Sequence, residues 1–219
     1  MENCLVTKLK STVNNNSLKK LGVLTFVSQN GFFIQMNTPV EVFIDGVSQG
    51  LINTQFYYDQ AAEHTIELKN KYALTRFQTY ASAGVELSEL SYLVNCTSID
   101  FSTEAAGDIT GNLSDISNCD ACTSFIIGGN GRISGNIKVL AEKFPSLSNL
   151  VFSVELVEGS IEEFVRQYRS QGRTTGTINT LISNNGRISF NGAPVNQTSA
   201  SDMSWTENTI TFDGVTITA

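Results

Sequence analysis

The chain has little of what catalysis and nucleic-acid binding draw on. Among 219 residues there is one histidine, His64, and one tryptophan, Trp205. His64 stands far in sequence from any candidate nucleophile, so a Ser/His or Cys/His relay has no signature here; it reads as a strand histidine. Lys and Arg number 14 against 21 Asp and Glu, a formal net charge of −7. Neutralising phosphates takes a dense basic face, which excludes nucleic acid as a partner. No window approaches eighteen apolar residues, so no membrane-spanning helix is expected. The start, Met1-Glu2-Asn3-Cys4-Leu5-Val6-Thr7-Lys8-Leu9-Lys10, has neither the basic region nor the apolar run of a secretory signal, and synthesis in a cytoplasm is expected.

The four cysteines, Cys4, Cys96, Cys119 and Cys122, are too few and too irregular for a disulfide framework. Cys119-Asp120-Ala121-Cys122 has the spacing of half a zinc or redox motif, yet no second pair completes a tetrahedral site. A packing role is expected for Cys122 and a loop position for Cys119, with no metal and no cofactor. Gly128-Gly129-Asn130-Gly131 lacks the Lys-Ser/Thr of a phosphate-binding loop and reads as a turn leaving a strand. Glu162-Glu163 and the Glu86/Glu89 pair fall on solvated helical faces without the pattern of a glycosidase pair or a calcium loop. No set of residues fills nucleophile, base and stabiliser roles together, so no catalytic residue and no enzyme activity are expected.

What the chain does have is a repeat. Ile109-Thr110-Gly111-Asn112, Ile133-Ser134-Gly135-Asn136 and Val157-Glu158-Gly159-Ser160 recur at a strict spacing, each followed by an apolar residue, Leu113, Ile137 or Ile161. Three residues later the apolar position returns as Ile116, Leu140 and Phe164. Such units cannot bury their apolar edges alone and stack into a continuous core. Ahead of each phrase stands a short strand: Cys96–Phe101, Cys122–Ile127 and Leu147–Phe152. Alternation turns Ile99/Phe101, Phe125/Ile127 and Leu150/Phe152 inward. It turns Ser98, Asp100, Ser124, Ile126, Asn149, Val151 and Ser153 outward, making them a candidate binding face. The stretches KVLAEKF and EEFVRQY supply a returning helical side, with Ile161, Phe164, Val165 and Tyr168 at helical spacing.

With 41% hydrophobic and 16% charged residues the chain can build more than one core. Four segments are expected. Residues 1–20 form an arm that carries Lys8, Lys10, Lys19 and Lys20 against Glu2 alone, with Leu5 and Leu9 as its apolar stripe. Residues 21–82 are strand-like runs split by turn residues, a small antiparallel β-sandwich. Residues 83–183 form the repeat solenoid. Residues 184–219 hold the near copies Ile188-Ser189-Phe190-Asn191-Gly192 and Ile210-Thr211-Phe212-Asp213-Gly214, a β-hairpin cap that includes Trp205.

Three resemblances extend this reading. Pro39-Val40-Glu41-Val42-Phe43-Ile44-Asp45-Gly46, with Gly50, Glu63-His64-Thr65-Ile66 and Lys71-Tyr72, resembles the PEGA family of small surface β-domains. Ile133-Ser134-Gly135-Asn136-Ile137 is similar to the Leu-x-Gly-x-Ile segment of the plant-type leucine-rich repeat, which implies a mainly β fold with some helix: sandwich, short solenoid, hairpin cap. The opening Met1–Lys10, with Ser204-Trp205-Thr206 and Ile210–Gly214, resembles virion proteins of crAss-like tailed bacteriophages. That resemblance implies a non-enzymatic head-fibre, decoration or tail-associated subunit of a virion, anchored by Leu5, Lys8, Leu9, Lys10, Lys19 and Lys20. The implied partners are capsid or tail proteins, copies of the chain itself, and a host-surface glycan or protein. The alternative is a free bacterial leucine-rich-repeat protein that binds or adheres to a cell surface.

Overall fold

The computed structural model describes residues 23–28, 32–58, 62–79, 85–101 and 109–218. The expected anchor, Leu5 to Lys20, lies outside them.

Two sheets face each other at the N-terminal end. In the first, β1 (Val23–Ser28), β3 (Val40–Ile44), β4 (Val47–Ile52) and β6 (His64–Lys69) run antiparallel in the order β1-β6-β3-β4. Period-two alternation puts Leu24, Phe26, Val40, Val42, Ile66 and Leu68 on one face, and all are buried. Opposite them lie Phe32 and Ile34 of β2 (Phe32–Met36) and Phe77 of β7 (Leu74–Thr79), also buried. Phe26 locks the layers together, meeting Phe32 and Phe77 edge to face at 5.2 and 5.1 Å. Asp45 and Gly46 turn β3 into β4 at φ 49° and 77°, the double positive-φ reversal that Asp-Gly favours.

The second sheet corrects the expected architecture: the chain is mainly β, but no separate solenoid forms. β2, β7 and β5 (Gln55–Tyr58) are the start of a 14-stranded sheet that takes in the whole repeat region. β7 pairs in parallel with β9 (Ser98–Phe101). Then β11 (Ser124–Asn136), β12 (Asn149–Ser160) and β13 (Gly176–Ser183) add on in parallel. Beyond β13 the sheet turns antiparallel through β16 (Ser201–Trp205), β17 (Thr209–Phe212) and β18 (Val215–Thr218). β8 (Val85–Glu86), β10 (Ile109–Asn112), β14 (Ile188–Phe190) and β15 (Ala193–Pro194) join off this path. The physical reason is the row of backbone donors and acceptors on each outer rung. Strands from the flanking segments satisfy those rows, so the rungs merge with their neighbours.

Two local expectations change with it. Gly128–Gly131 is not a turn leaving a strand; β11 runs through it, with register shifts against β12 between Ile127 and Ser134. The near copies at the C-terminus do not make one hairpin cap. Ile188–Gly192 leads β14 into β15, attached to β12, whereas Ile210–Gly214 joins β17 to β18 and lengthens the large sheet.

The spaced glycines stand at equivalent places, and the contacts explain the phrase. Gly111, Gly135 and Gly159 take φ values of 123°, 115° and 116°. A Cβ on Gly135 would come within 2.9 Å of Asn112 Oδ1, and one on Gly159 within 2.6 Å of Asn136 Oδ1. Each of these two glycines thus leaves room for the polar residue of the preceding copy. The polar residues also cap the next helical turn in the chain: Asn112 Oδ1 accepts from Ser114 N, Asn136 Oδ1 from Lys138 N, and Ser160 Oγ from Glu163 N. They start, in turn, a 3₁₀ turn at Leu113–Asp115, helix α1 (Lys138–Lys143) and helix α2 (Ile161–Ser170). A second ladder of side chains ties the strand starts, as Thr97 Oγ1, Thr123 Oγ1 and Ser148 Oγ donate to the carbonyls of Thr75, Thr97 and Thr123.

The core runs without a break along the inner face of the large sheet. Ile99, Phe101, Phe125, Ile127, Leu150 and Phe152 are fully buried, in one cluster with Leu140 of α1 and Phe164, Val165 and Tyr168 of α2. Tyr168 donates its hydroxyl proton to the Phe144 carbonyl and stacks on Trp205 at 5.2 Å. Phe125 packs against Phe144 at 4.9 Å between ring centroids. Phe125→Ala should therefore destabilise the protein by about 3–5 kcal/mol, as for other deleted core rings. Urea unfolding measures this, and a loss below about 1 kcal/mol would show that the ring is not part of the core.

Candidate functional site

The outer face of the large sheet carries the residues expected to bind. Register places them in two rows running across the strands. One row is Arg76, Ser98, Ser124, Asn149 and Asn179; the other is Gln78, Asp100, Ile126, Val151 and Leu181. Ser153 pairs with Ser183 one step further along. At the usual strand separation each row spans about 19 Å. All seven expected residues thus share one face, and Ser98, Ser124, Ile126, Asn149, Val151 and Ser153 are half-buried. Asp100 departs from expectation, being 7% exposed and engaged with a neighbour, so it is not a free acidic contact.

Four residues of the two rows escape sequence reasoning: Arg76, Gln78, Asn179 and Leu181. The signal for β13 is present, because Ile178, Thr180 and Ile182 alternate inward against Asn179 and Leu181. For β7 it is only Phe77 between two long polar side chains. Arg76 lies over the Phe33 ring, 5.5 Å from its centroid, and donates to Gln78 Oε1. Asn149 Nδ2 donates to Ser124 Oγ. Ile126, Val151 and Leu181 are therefore a short apolar strip framed by amides, hydroxyls and one guanidinium, suited to a modest protein or glycan contact.

The cysteines of the described residues are packed into the core. Cys96, Cys119 and Cys122 are buried and unbridged. Cys96 and Cys122 each donate to a carbonyl two residues on, at Ser98 and Ser124. Burial pushes the Cys96 thiol up to about 12, and the adjoining Cys119 side chain together with burial pushes Cys122 up as well. Cys119 stands in the connection between the 3₁₀ turn and β11, the loop position expected of it, and is buried there: it is 2% exposed and donates to the carbonyls of Leu93 and Cys96. Among the described residues, no group of three or more His, Cys, Asp or Glu could hold a metal ion. No helix among them is long and apolar enough to cross a membrane. The acidic pair on α2 is also engaged, since Glu162 Oε1 accepts from Asn191 N and Glu163 Oε2 from Asn136 Nδ2.

His64 fastens the β3–β4 turn. Its Nδ1 lies 2.7 Å from Asp45 Oδ2, and Thr65 N donates to Asp45 Oδ1. No protein family, curated protein or solved structure matches the chain.

The hydrogen bonds from His64 and then Thr65 hold the Asp45 carboxyl below its ordinary value of 3.8. A carboxyl lowered on folding stabilises the protein above its ordinary pKa, and that stabilisation is lost as pH falls through the lowered value. Asp45→Asn, which still tolerates positive φ, should lower Tm at pH 6, with the difference closing below about pH 4. Thermal melts across that range check it. A difference that ignores pH would remove the carboxylate from the role.

Proposed function

We propose that the protein is a non-enzymatic structural component of a phage virion, attached to the particle through residues 1–20 and presenting the outer sheet face to a partner. The observation that carries this is the split of charge along the chain. Four lysines and one glutamate occupy residues 1–20 of a chain whose net charge is −7, and the buried core of the described residues begins only at Leu24. A basic segment ahead of the core can dock on an acidic surface without disturbing the sheets. The resemblance of Met1–Lys10 and Ser204–Gly214 to crAss-like virion proteins supports the same placement, as a head fibre, decoration or tail-associated subunit. The strip Ile126, Val151 and Leu181 supports the contact role of the face.

Removing residues 1–20 should leave the body folded and abolish incorporation into particles, read by mass spectrometry of purified virions. Reversing charge at Lys8 and Lys10 should weaken incorporation more at low salt than at high salt. Normal incorporation of the truncated protein would move attachment to the sheets. Particles that never contain the full-length chain would end the virion reading.

A further inference from the structure

The two near-identical C-terminal turns enclose a cleft of about 320 Å³. Asn191-Gly192 and Asp213-Gly214 all take positive φ, between 47° and 76°, so both turns are the same double reversal. This repetition brings Phe190 and Phe212 to the same spot, where they meet at 5.5 Å between centroids. Over these buried rings, Ala193, Pro194 and Val215 give the cleft its exposed apolar lining, and Asn191, Asn196 and Asp213 supply its polar part.

One buried group in this lining is incompletely satisfied. Gln197 is 6% exposed, and its Oε1 accepts from Ile182 N at 2.9 Å and Thr180 Oγ1 at 3.2 Å. A backbone N–H can only donate, so it fixes which end of the amide faces Ile182. The other end, Nε2, is buried without a partner among the described residues, on a side chain that lines the cleft. Natural cores seldom leave a buried donor unpaired, and a ligand acceptor would satisfy it.

We propose that this cleft binds a neutral saccharide, one or two rings of a glycan. The only ionisable side chain among the described residues of its lining is Asp213, so an anion meets repulsion and no counter-charge. The Gln197 amide N–H donates, the Asp213 carboxylate accepts, and the Asn196 amide, whose Oδ1 already accepts from Ser183 Oγ, offers its N–H. Adjacent donors and acceptors suit hydroxyls, which do both. The apolar lining takes the C–H face of a sugar ring. A volume near 320 Å³ lies at the small end of ligand pockets, which limits the occupant to a short fragment. Saccharide binding here rests on the cleft alone and does not depend on the virion reading.

The test is saturation-transfer NMR and titration of the full chain with the methyl glycosides of glucose, galactose, mannose and N-acetylglucosamine. Methyl glucuronide and a blocked dialanine serve as the anionic and peptide probes. At least one neutral glycoside should bind. Asp213→Gly, which keeps the turn, and Gln197→Glu, which keeps the acceptor for Ile182 N, should each weaken it about tenfold or more. Melting curves confirm folding, and if Gln197→Glu does not fold, the exposed Asp213→Gly decides. Overturning results are no neutral glycoside bound below about 20 mM, unchanged binding by the folded variants, or tighter binding of the glucuronide or the dipeptide.

Discussion

Each parallel rung of the repeat has two rows of backbone donors and acceptors, and the end rungs must find partners for the outer ones. Everything else in the architecture depends on how that is met. On one side β7 supplies the row, and so joins β5 and β2 to the repeat by hydrogen bonds, while the four-stranded sheet is held to them by packing around Phe26. On the other side β16 closes β13 in antiparallel sense, and β17 and β18 continue outward. Segments that would otherwise be beads on a string are tied together by the large sheet. That sheet leaves a single broad outer face, on which the candidate binding rows cross five strands.

Within the parallel section two small chemistries repeat. A glycine at positive φ leaves space for the capping Asn of the copy before, and a Thr or Ser at each strand start bonds the carbonyl of the strand beside it. Both satisfy backbone or amide groups where the chain bends and regular pairing stops. Gly135 and Gly159 are thus constrained twice, by backbone conformation and by the neighbour that would meet a Cβ. Buried cysteines fill the equivalent sites at Cys96 and Cys122 as small apolar residues whose thiols each find a carbonyl.

Much of this is readable from the sequence because it is local or periodic. The inward set from Ile99 to Phe152, the α2 stripe and the Asp45-Gly46 turn all come from side-chain period or turn chemistry, and all are where the pattern puts them. What is not readable is pairing between segments. β7 carries one inward aromatic between Arg76 and Gln78, too short a pattern to mark a strand that bridges two regions. The expectation of a separate solenoid comes from similarity among repeats, which says how rungs resemble each other but nothing of what bonds the outer ones. Gly128–Gly131 reads as a turn because four small or polar residues in a row normally end a strand; here a bulged β11 carries through them between two paired neighbours. On the candidate face, the outward serines and asparagines are visible in the pattern, but the covering of Asp100 depends on tertiary contact.

The central claim is that the 14-stranded sheet and the core it shares with the four-stranded sheet tie the described residues together, so that they unfold as one unit. Native-state hydrogen exchange at rising urea tests it at the amides of Ile34 in β2 and Met203 in β16, on opposite sides of the parallel section. The account predicts that both converge on a common opening free energy and a common urea dependence as global unfolding takes over. Exchange at Ile34 through a separate, lower-energy opening that leaves Met203 protected at every urea concentration would contradict it, and would divide the chain into independently folding parts.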